Sequence, residues 1–407
     1  MKKNNVRTLA IFWLAAMLIQ ATAVAEKLEF GIPRQIGSDM KDFHAGYQAA
    51  LLYYEDSDEL AAVWQSTDNK IRFRRMKNGN WSEETVTPYG GICGIAAAYD
   101  NNGLLHFAFE EYYGREAAPG QFSPSEIIPY PTVGEDINGH PAVFWMSNVI
   151  VDNFGNVYCW ARAAFAPSED VVMVKEGTPW RSLGAPGPRG TIVFSTSGGR
   201  LALTRDKLKV HIGWRIWNRD VGIGQALGYR SISASPVVGW DGEGRAISDR
   251  LDYYDPRRFH FQPAMAMDRN DKLHILFNHL GKTSYIYQTE NGWSSVEDVD
   301  PLVLSELGDR ENKEYNEREL TCWDLAIDKK GNVFAFYNPT HKQNDLWFLR
   351  VRTPGPNGKW GDKIPLVAGR RHYRAVATSD NKIHFIYKHN STVMHNWVRK
   401  SVLVQRN

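Results

Sequence analysis

Residues 263–277 read PAMAMDRNDKLHILF, and this stretch decides the fold. A short apolar segment reaches the turn residue Asp268, and alternating apolar residues follow it, which is typical of two antiparallel strands joined by a tight turn. The pattern occurs seven times, with anchor aspartates at Asp56, Asp100, Asp152, Asp206, Asp268, Asp328 and Asp380. Subtracting these numbers gives intervals of 44, 52, 54, 62, 60 and 52 residues. Repeats of roughly 40–50 residues with four short strands each form propeller blades. The sequence therefore predicts an all-β, seven-bladed β-propeller whose central channel carries the function.

The two ends of the chain fit this architecture. Residues 1–25 combine a basic start, an apolar run and the small-residue pattern Ala23-Val24-Ala25, which predicts an export signal cut after Ala25. The mature chain, residues 26–407, is then one propeller domain in the periplasm or outside the cell. A strand within residues 27–33 is expected to pair with the last blade near residues 398–404, because an unclosed ring would expose two sheet edges.

Composition narrows the class of partner. The formal net charge is +2 and no basic run is present, which argues against a nucleic-acid partner. After the signal no apolar stretch is long enough to span a bilayer. Fourteen Trp and eighteen Tyr residues can fill blade interfaces or serve as stacking platforms for sugars. The sequence carries no signal for the oligomeric state.

Aligning the seven units predicts a polar pocket at one mouth of the channel. Eight residues before each anchor stand Gln48, Ile92, Phe144, Gly198, His260, Leu320 and His372. The second strand runs back antiparallel, so its last residues reach the same mouth: Gln65, Glu110 or Glu111, Arg162, Arg215, His279, Asn338 and His389. Polar groups from every blade would then surround one opening, although solvated strand ends explain part of the pattern equally well.

Two groups of histidines have different interpretations. His106, His211, His274 and His384 recur at one position within the strand, which predicts packing residues hydrogen-bonded across blades. His260, His279, His372 and His389 break that regularity, so they are candidates for the site.

Blade four holds the densest chemistry. Trp214, Arg215, Trp217 and Arg219 stand close together, and Arg245 follows Tyr229 by sixteen residues. Arginine forks match carboxylates and indole rings can stack on a pyranose, so this cluster suits an acidic sugar. The alternative is an Arg–Trp ladder that packs between blades.

The repeat resembles that of exported neuraminidase-like propellers, on the residues of 207–231 (KLKVHIGWRIWNRDVGIGQALGYRS) and 263–287 (PAMAMDRNDKLHILFNHLGKTSYIY). That superfamily includes the propeller ulvan lyases and the glycosidases that remove rhamnose from glucuronic acid on arabinogalactan proteins (glycoside hydrolase family 145). The resemblance covers the mature chain and implies an acidic poly- or oligosaccharide as partner.

Specific residues carry over from each family. In the ulvan lyases a Tyr and an Arg act with His partners, and Tyr229 and Arg245 resemble that pair in spacing, whereas His44 and His140 fit the partners poorly. In the rhamnosidases activity depends on a His near the start of blade one. Gln48 stands at that place here, and an amide does not exchange protons, so His44 could substitute only in a shifted register.

Three functions follow from these patterns. The first is a hydrolase that releases rhamnose from rhamnosyl-glucuronic acid, with Glu110, Glu111 and Asp324 as candidate carboxylates.

The second is a lyase that works by β-elimination. In it Arg215 or Arg245 would neutralise the uronate, His260 or His279 would act as base, and Tyr229 would be the proton donor. The third function is a lectin for acidic sugars.

No metal motif is present, and no organic cofactor is expected. Oxygen ligands scattered around the ring could still hold a structural calcium ion.

Overall fold

The computed structural model describes residues 26–41, 49–91, 94–129, 143–164, 171–187, 199–218, 223–248, 263–279, 282–300, 321–338, 347–366 and 374–402. Within these ranges the regular structure is β-strand, apart from one 3-10 turn at Glu55–Ser57. Seven antiparallel sheets of four or five strands follow one another along the chain. The seven-bladed β-propeller is confirmed. No helix in the same ranges has the length and apolar character to cross a membrane.

Each blade begins with an inner strand and continues outward. Blades one to three comprise Ala49–Tyr54, Glu59–Gln65, Lys70–Lys77, Asn80–Trp81 and Thr85–Gly90; Ala96–Tyr99, Leu105–Phe109, Tyr112–Ala118, Gln121–Phe122 and Glu126–Ile127; and Val143–Val151, Val157–Ala164, Val171–Lys175 and Trp180–Ser182. Blades four and five comprise Arg200–Leu203, Lys209–Asn218, Ile223–Ser233, Gly239–Trp240 and Arg245–Ala246; and Ala264–Met267, Leu273–His279, Lys282–Thr289, Gly292–Trp293 and Glu297–Asp300. Blades six and seven comprise Thr321–Ile327, Val333–Asn338, Phe348–Arg352 and Ile364–Pro365; and Arg374–Ala377, Ile383–His389, Thr392–Val402, Glu26–Phe30 and Arg34–Gly37.

The last blade closes the ring with both ends of the chain. Glu26–Phe30 and Arg34–Gly37 both pair antiparallel with Thr392–Val402, and Glu26 stands opposite Val402. The closure predicted from the sequence is confirmed, and it removes the two open edges that an unclosed ring would have.

The anchor aspartates form the turns between the first two strands of the blades. Asp100 Oδ1 accepts the backbone N–H groups of Asn102 and Leu104 at 2.8 and 2.9 Å. Asp328 Oδ1 accepts those of Lys330 and Asn332 at 2.9 and 2.8 Å. A short carboxylate side chain can satisfy two turn donors at once, which is why aspartate recurs at this place in the repeat.

Apolar side chains fill the spaces between blades. Seven buried clusters lie one at each of the seven blade interfaces. At the interface of blades four and five, Leu227 and Tyr229 pack with Ile275 and Phe277. Burial of apolar surface, at about 25 cal/mol per Å², therefore holds each blade against its neighbours. This packing places Tyr229 at the edge of a groove between two blades.

Candidate functional site

Much of the predicted channel mouth lies outside the described residues. His44, Gln48, Arg219, His260 and His372 belong to segments that the structure does not describe. For Arg162, Arg215, Trp217 and His279 only the backbone strand is described. His389 is exposed at the end of its strand. The roles assigned to these residues stay predictions.

Trp214 does not offer a stacking face for a sugar, so that prediction is wrong. Its side chain is 0% exposed and packs with Trp160, Ile212 and Ile232 between blades three and four. A fully buried indole cannot contact a pyranose. Trp214 is a core residue, in agreement with the alternative of interblade packing.

The four recurring histidines are buried, as the repeat predicts, but their partners lie within their own blades. His106 Nδ1 lies 2.6 Å from Tyr113 Oη, and His384 Nδ1 lies 2.9 Å from His395 Nε2. Both contacts join the second and third strands of one sheet. The expectation of hydrogen bonds across blades is therefore wrong, because the nearest polar ring is the cross-strand neighbour.

The central channel encloses a cavity of about 710 Å³. Inner strands of all seven blades line it, mainly with Ala, Leu, Val, Ile and Met side chains. Asp324 is buried in its wall, with Arg200 Nη2 at 3.6 Å from Asp324 Oδ1. Polar side chains also line it, among them Asn148, Arg200, Asp324 and Arg374.

A second cavity, of about 410 Å³, opens on the side of blades four and five. We call it the lateral cavity; it is lined by Lys209, Tyr229, Arg230, Ser231, Asp241, Glu243, Arg245 and Gln288. Three cations and two carboxylates meet here. Asp241 accepts hydrogen bonds from Ser233 N and Oγ at 2.9 Å each and lies 3.8 Å from Lys209 Nζ.

The lateral cavity unites the Tyr and Arg that the sequence singled out. Tyr229 and Arg245 stand directly opposite each other on antiparallel strands, where side chains on one face approach within roughly 5 Å at Cβ. Tyr229 Oη lies 2.8 Å from His211 Nδ1, and Gln288 Nε2 donates to Tyr229 Oη at 3.4 Å. The Trp293 ring packs edge-on against Tyr229 at 5.1 Å. The imidazole of His211 and the amide of Gln288 thus both contact the phenol, and Arg245 stands opposite it on the next strand.

Blades two and five show the same arrangement with different charges. Tyr113 stands opposite Glu126 and contacts His106, and Glu126 forms an ion pair with Lys175 of the next blade. Tyr285 likewise stands opposite Glu297.

Blade five completes its pair in the same way. Tyr285 contacts His274. Both carboxylate oxygens of Glu297 accept hydrogen bonds from Arg352 of the next blade, each at 2.7 Å. An interblade ion pair therefore lies beside the tyrosine in both blades.

In blade four both members of that pair are replaced. Arg245 occupies the place of Glu126 and Glu297 opposite the tyrosine. Gln288 stands opposite Trp293, as Lys175 stands opposite Trp180 and Arg352 opposite Trp360, so Gln288 occupies the place of the cation. Arg245 makes no hydrogen bond or ion pair with any residue in the described part of the chain. The result is an exposed, unpaired cation beside a buried phenol.

The protonation of the pair follows from its burial. Burial lowers the pKa of His211 to about 4, so this imidazole is neutral at neutral pH. Burial also raises the pKa of Tyr229 above its ordinary value, while the Gln288 amide and the charge of Arg245 act in the opposite direction. A neutral imidazole can accept the phenolic proton.

Sequence reasoning missed two members of this cluster, His211 and Gln288. The repeat predicted that His211 is a packing residue. Its burial agrees with that prediction, but the repeat did not predict its contact with Tyr229. The signal was present in the alignment of the units, since an arginine stands where two other units have a glutamate. Among the described residues no group of three or more His, Cys, Asp or Glu side chains could hold a metal ion.

Known proteins resemble this chain in fold but not in sequence. No family model and no curated protein matches the sequence. Solved structures match over most of the chain. A chain of the mitotic checkpoint complex is 8% identical, with 91% of this chain and 94% of that chain covered and a TM-score of 0.53.

Two further structures have a TM-score of 0.51. The Cps50 (Swd1) β-propeller domain of Myceliophteria thermophila is 8% identical, with 89% and 99% covered. A PL25 ulvan lyase bound to -[GlcA(1-4)Rha3S]- is 11% identical, with 89% and 95% covered. At such identities these likenesses show the propeller fold alone.

Proposed function

We propose that this protein is an exported polysaccharide lyase, which cleaves beside a uronic acid by β-elimination in the lateral cavity. One observation carries the proposal: among the described residues Arg245 has no hydrogen-bond or ion-pair partner where it stands opposite Tyr229, whereas the equivalent tyrosines of blades two and five face a paired glutamate. Replacing an ion pair by a lone cation loses an interblade contact, so a ligand anion is the natural partner for Arg245.

The chemistry of β-elimination matches these groups. The reaction removes the proton at C5 of the uronate, forms the C4=C5 double bond and breaks the bond between C4 and the leaving oxygen. Removal of the C5 proton places charge on the carboxylate, which must be neutralised. Arg245 supplies two parallel N–H donors for that carboxylate, and the Gln288 amide lies 3.4 Å from the phenolic oxygen.

Tyr229 then transfers the proton. Tyr229 Oη takes the C5 proton as its own phenolic proton passes to His211 Nδ1, which lies 2.8 Å away, so that no free phenolate forms. The re-formed phenol protonates the leaving oxygen, and His211 returns its proton to Tyr229, so that each group ends in its starting state. Positioned acid–base groups of this kind contribute roughly 10²–10⁴-fold to a rate.

Fold-level similarity supports the choice of substrate class. A propeller with a TM-score of 0.51 to this chain is an ulvan lyase bound to a glucuronate–rhamnose 3-sulfate repeat. Glucuronate-containing plant or algal polysaccharides are therefore the first substrates to test, outside the cytoplasm as the predicted export signal implies.

Hydrolysis has less support in this cavity. Usual glycosidases need two carboxylates, and of the two here Asp241 is engaged by Ser233 and Ser231. That leaves Glu243 alone, so release of rhamnose from rhamnosyl-glucuronic acid is the alternative outcome of the test.

The test incubates the purified protein with ulvan and, separately, with rhamnose-capped arabinogalactan. The expected result is new ultraviolet absorbance from the C4=C5 double bond with ulvan. Free rhamnose without absorbance would contradict the lyase and favour the hydrolase. Binding without either product would favour a lectin. The matched variant is Arg245→Gln, which keeps the fold and should lose the absorbance.

A further inference from the structure

The channel contains a polar level that the proposed lyase site does not use. Each blade contributes one residue of its inner strand to a set that we call the channel ring: Ala49, Ala96, Asn148, Arg200, Ala264, Asp324 and Arg374. Four are polar and three are alanines. Six of them, all except Ala264, line the 710 Å³ cavity.

Backbone contacts fix two polar members of the channel ring. Asp324 Oδ2 accepts the N–H of Ala375 at 2.9 Å, and Asp324 Oδ1 accepts its neighbour Leu325 N at 3.0 Å. Arg374 Nε donates to the carbonyl of Ala49 at 3.1 Å. Asp324 and Arg374 are 5% and 6% exposed, so these charges are held in place rather than moving with solvent.

Arg200 is the member with donors to spare. Its guanidinium extends from blade four to within 3.6 Å of Asp324 Oδ1 in blade six. It makes no hydrogen bond with any residue inside the described ranges. A guanidinium carries five N–H donors, so Arg200 can bind an oxyanion in the cavity beside the half-buried amide of Asn148.

The opposite end of the channel limits the size of the ligand. Arg205 Nη2 of blade four lies 2.8 Å from both carboxylate oxygens of Glu55 in blade one. Blades one and four lie on opposite sides of a seven-membered ring, so this ion pair spans the opening. The turns of blades two and four also meet there, with Lys207 Nζ donating to Asn101 Oδ1 at 2.7 Å. A polymer therefore cannot thread the channel.

We infer that the channel ring is a second binding site, which takes a compact carboxylate of the size of a single uronic acid. Arg200 binds the carboxylate, Asn148 and the exposed edges of the inner strands bind hydroxyl groups, and Asp324 sets the affinity by competing for Arg200. The site is distinct from the lateral cavity, and the inference does not depend on lyase activity.

The experiment is titration calorimetry with glucuronate, with glucose as the neutral control. We expect saturable binding of glucuronate and none of glucose. Arg200→Gln should weaken binding about tenfold or more, the effect of losing a charge-assisted hydrogen bond. Asp324→Asn should strengthen binding, because it removes the competing carboxylate and keeps a carbonyl acceptor. Opposite signs for these two variants are not expected from a general loss of structure.

Controls separate the two sites. Because Arg245 in the lateral cavity is also proposed to bind a uronate carboxylate, the titrations are repeated in the Arg245→Gln background, where glucuronate binding should remain and should still be weakened by Arg200→Gln. If Asp324→Asn does not fold, Arg200→Lys replaces it and should bind with an affinity between those of the parent and Arg200→Gln. Equal affinities for glucose and glucuronate, no binding of glucuronate, or insensitivity to Arg200→Gln would each overturn the inference.

Discussion

Arg245 stands directly opposite Tyr229 in blade four, on the spot that a glutamate occupies opposite the corresponding tyrosines of blades two and five. In those two blades the glutamate is paired with a cation of the next blade, whereas for blade four the neutral Gln288 of blade five takes the place of that cation. One repeat has thus exchanged a structural ion pair for a cavity with an unpaired guanidinium. Departure from the repeat, rather than the repeat itself, marks the candidate site.

Tyr229→Phe tests whether the phenol does chemistry. The ring can still pack on Trp293, while the 2.8 Å contact with His211 is lost. We expect lyase activity on ulvan to fall by roughly 10²–10⁴-fold, with a loss of about 1 kcal/mol in the free energy of unfolding. Initial rates and urea unfolding measure the two quantities.

The matched control is Tyr113→Phe in blade two, which removes the same contact to its own histidine, His106. It should cost similar stability and leave the rate unchanged. Equal loss of activity in both variants would mean that the phenol acts only through the fold.

The double variant Arg245→Glu with Gln288→Lys tests the charge exchange directly. It rebuilds in blade four the Glu–Lys pair that Glu126 and Lys175 form between blades two and three. We expect the midpoint of thermal unfolding to stay the same or rise, and lyase activity and binding of uronate oligosaccharides to disappear. A variant that keeps its activity would show that Arg245 does not bind the carboxylate.

Part of this site was predictable from the sequence. The anchor spacing gives the seven blades because each blade needs its own tight turn, and Asp100 and Asp328 satisfy two turn donors as that reading requires. The resemblance to the ulvan lyases pointed to Tyr229 and Arg245 as a pair, and their strands stand them opposite each other.

The rest depends on contacts between distant parts of the chain. Gln288 reaches Tyr229 from another blade, 59 residues later. A tryptophan such as Trp214 is equally suited to stacking on a sugar and to core packing, and only its contact with Trp160 shows that it belongs to the core. A single unit records side-chain types, but whether a ring is exposed is decided by its neighbouring blade.

Glu116 is expected to be the most sensitive carboxylate of the blade one–two interface. It is 0% exposed, pairs with Arg75 of blade one and accepts the N–H groups of Leu105 and Gly120 at 2.8 and 2.9 Å. Glu116→Ala leaves a largely buried guanidinium without this partner, so we expect a loss of about 3 kcal/mol or more in urea unfolding.

Glu84→Ala is the control for that variant. Glu84 also forms an ion pair with an arginine: Arg72, which lies on the same strand as Arg75, is 2.6 Å away. Both side chains of this pair are about one-fifth exposed. It should cost no more than about 1 kcal/mol. Similar losses in the two variants would contradict the importance of burial.

Two buried histidines of blade seven predict how stability depends on pH. Burial lowers the pKa of His384 to about 4 and the pKa of His395 to about 3, against about 6.5 in an unfolded chain. Between pH 6.5 and pH 4 the unfolded chain therefore binds more protons than the folded chain, so the free energy of unfolding falls as the pH falls. Each histidine contributes up to about 1.4 kcal/mol per pH unit in this window. Carboxylates with lowered pKa values, such as Asp68 and Asp100 at about 2, act mainly below it.

His395→Phe checks that assignment, because a phenyl ring can keep the edge-on contact with Trp81, now at 5.0 Å. The variant loses the 2.9 Å contact with His384 and should be less stable at pH 7. Between pH 6.5 and pH 4.5 its free energy of unfolding should fall less steeply with decreasing pH than that of the parent. The difference in slope should correspond to the uptake of roughly one proton fewer on unfolding. The measurement is urea unfolding at four pH values across that range. Parallel curves for parent and variant would mean that other groups take up the protons and that the buried histidine pair does not set the acid sensitivity.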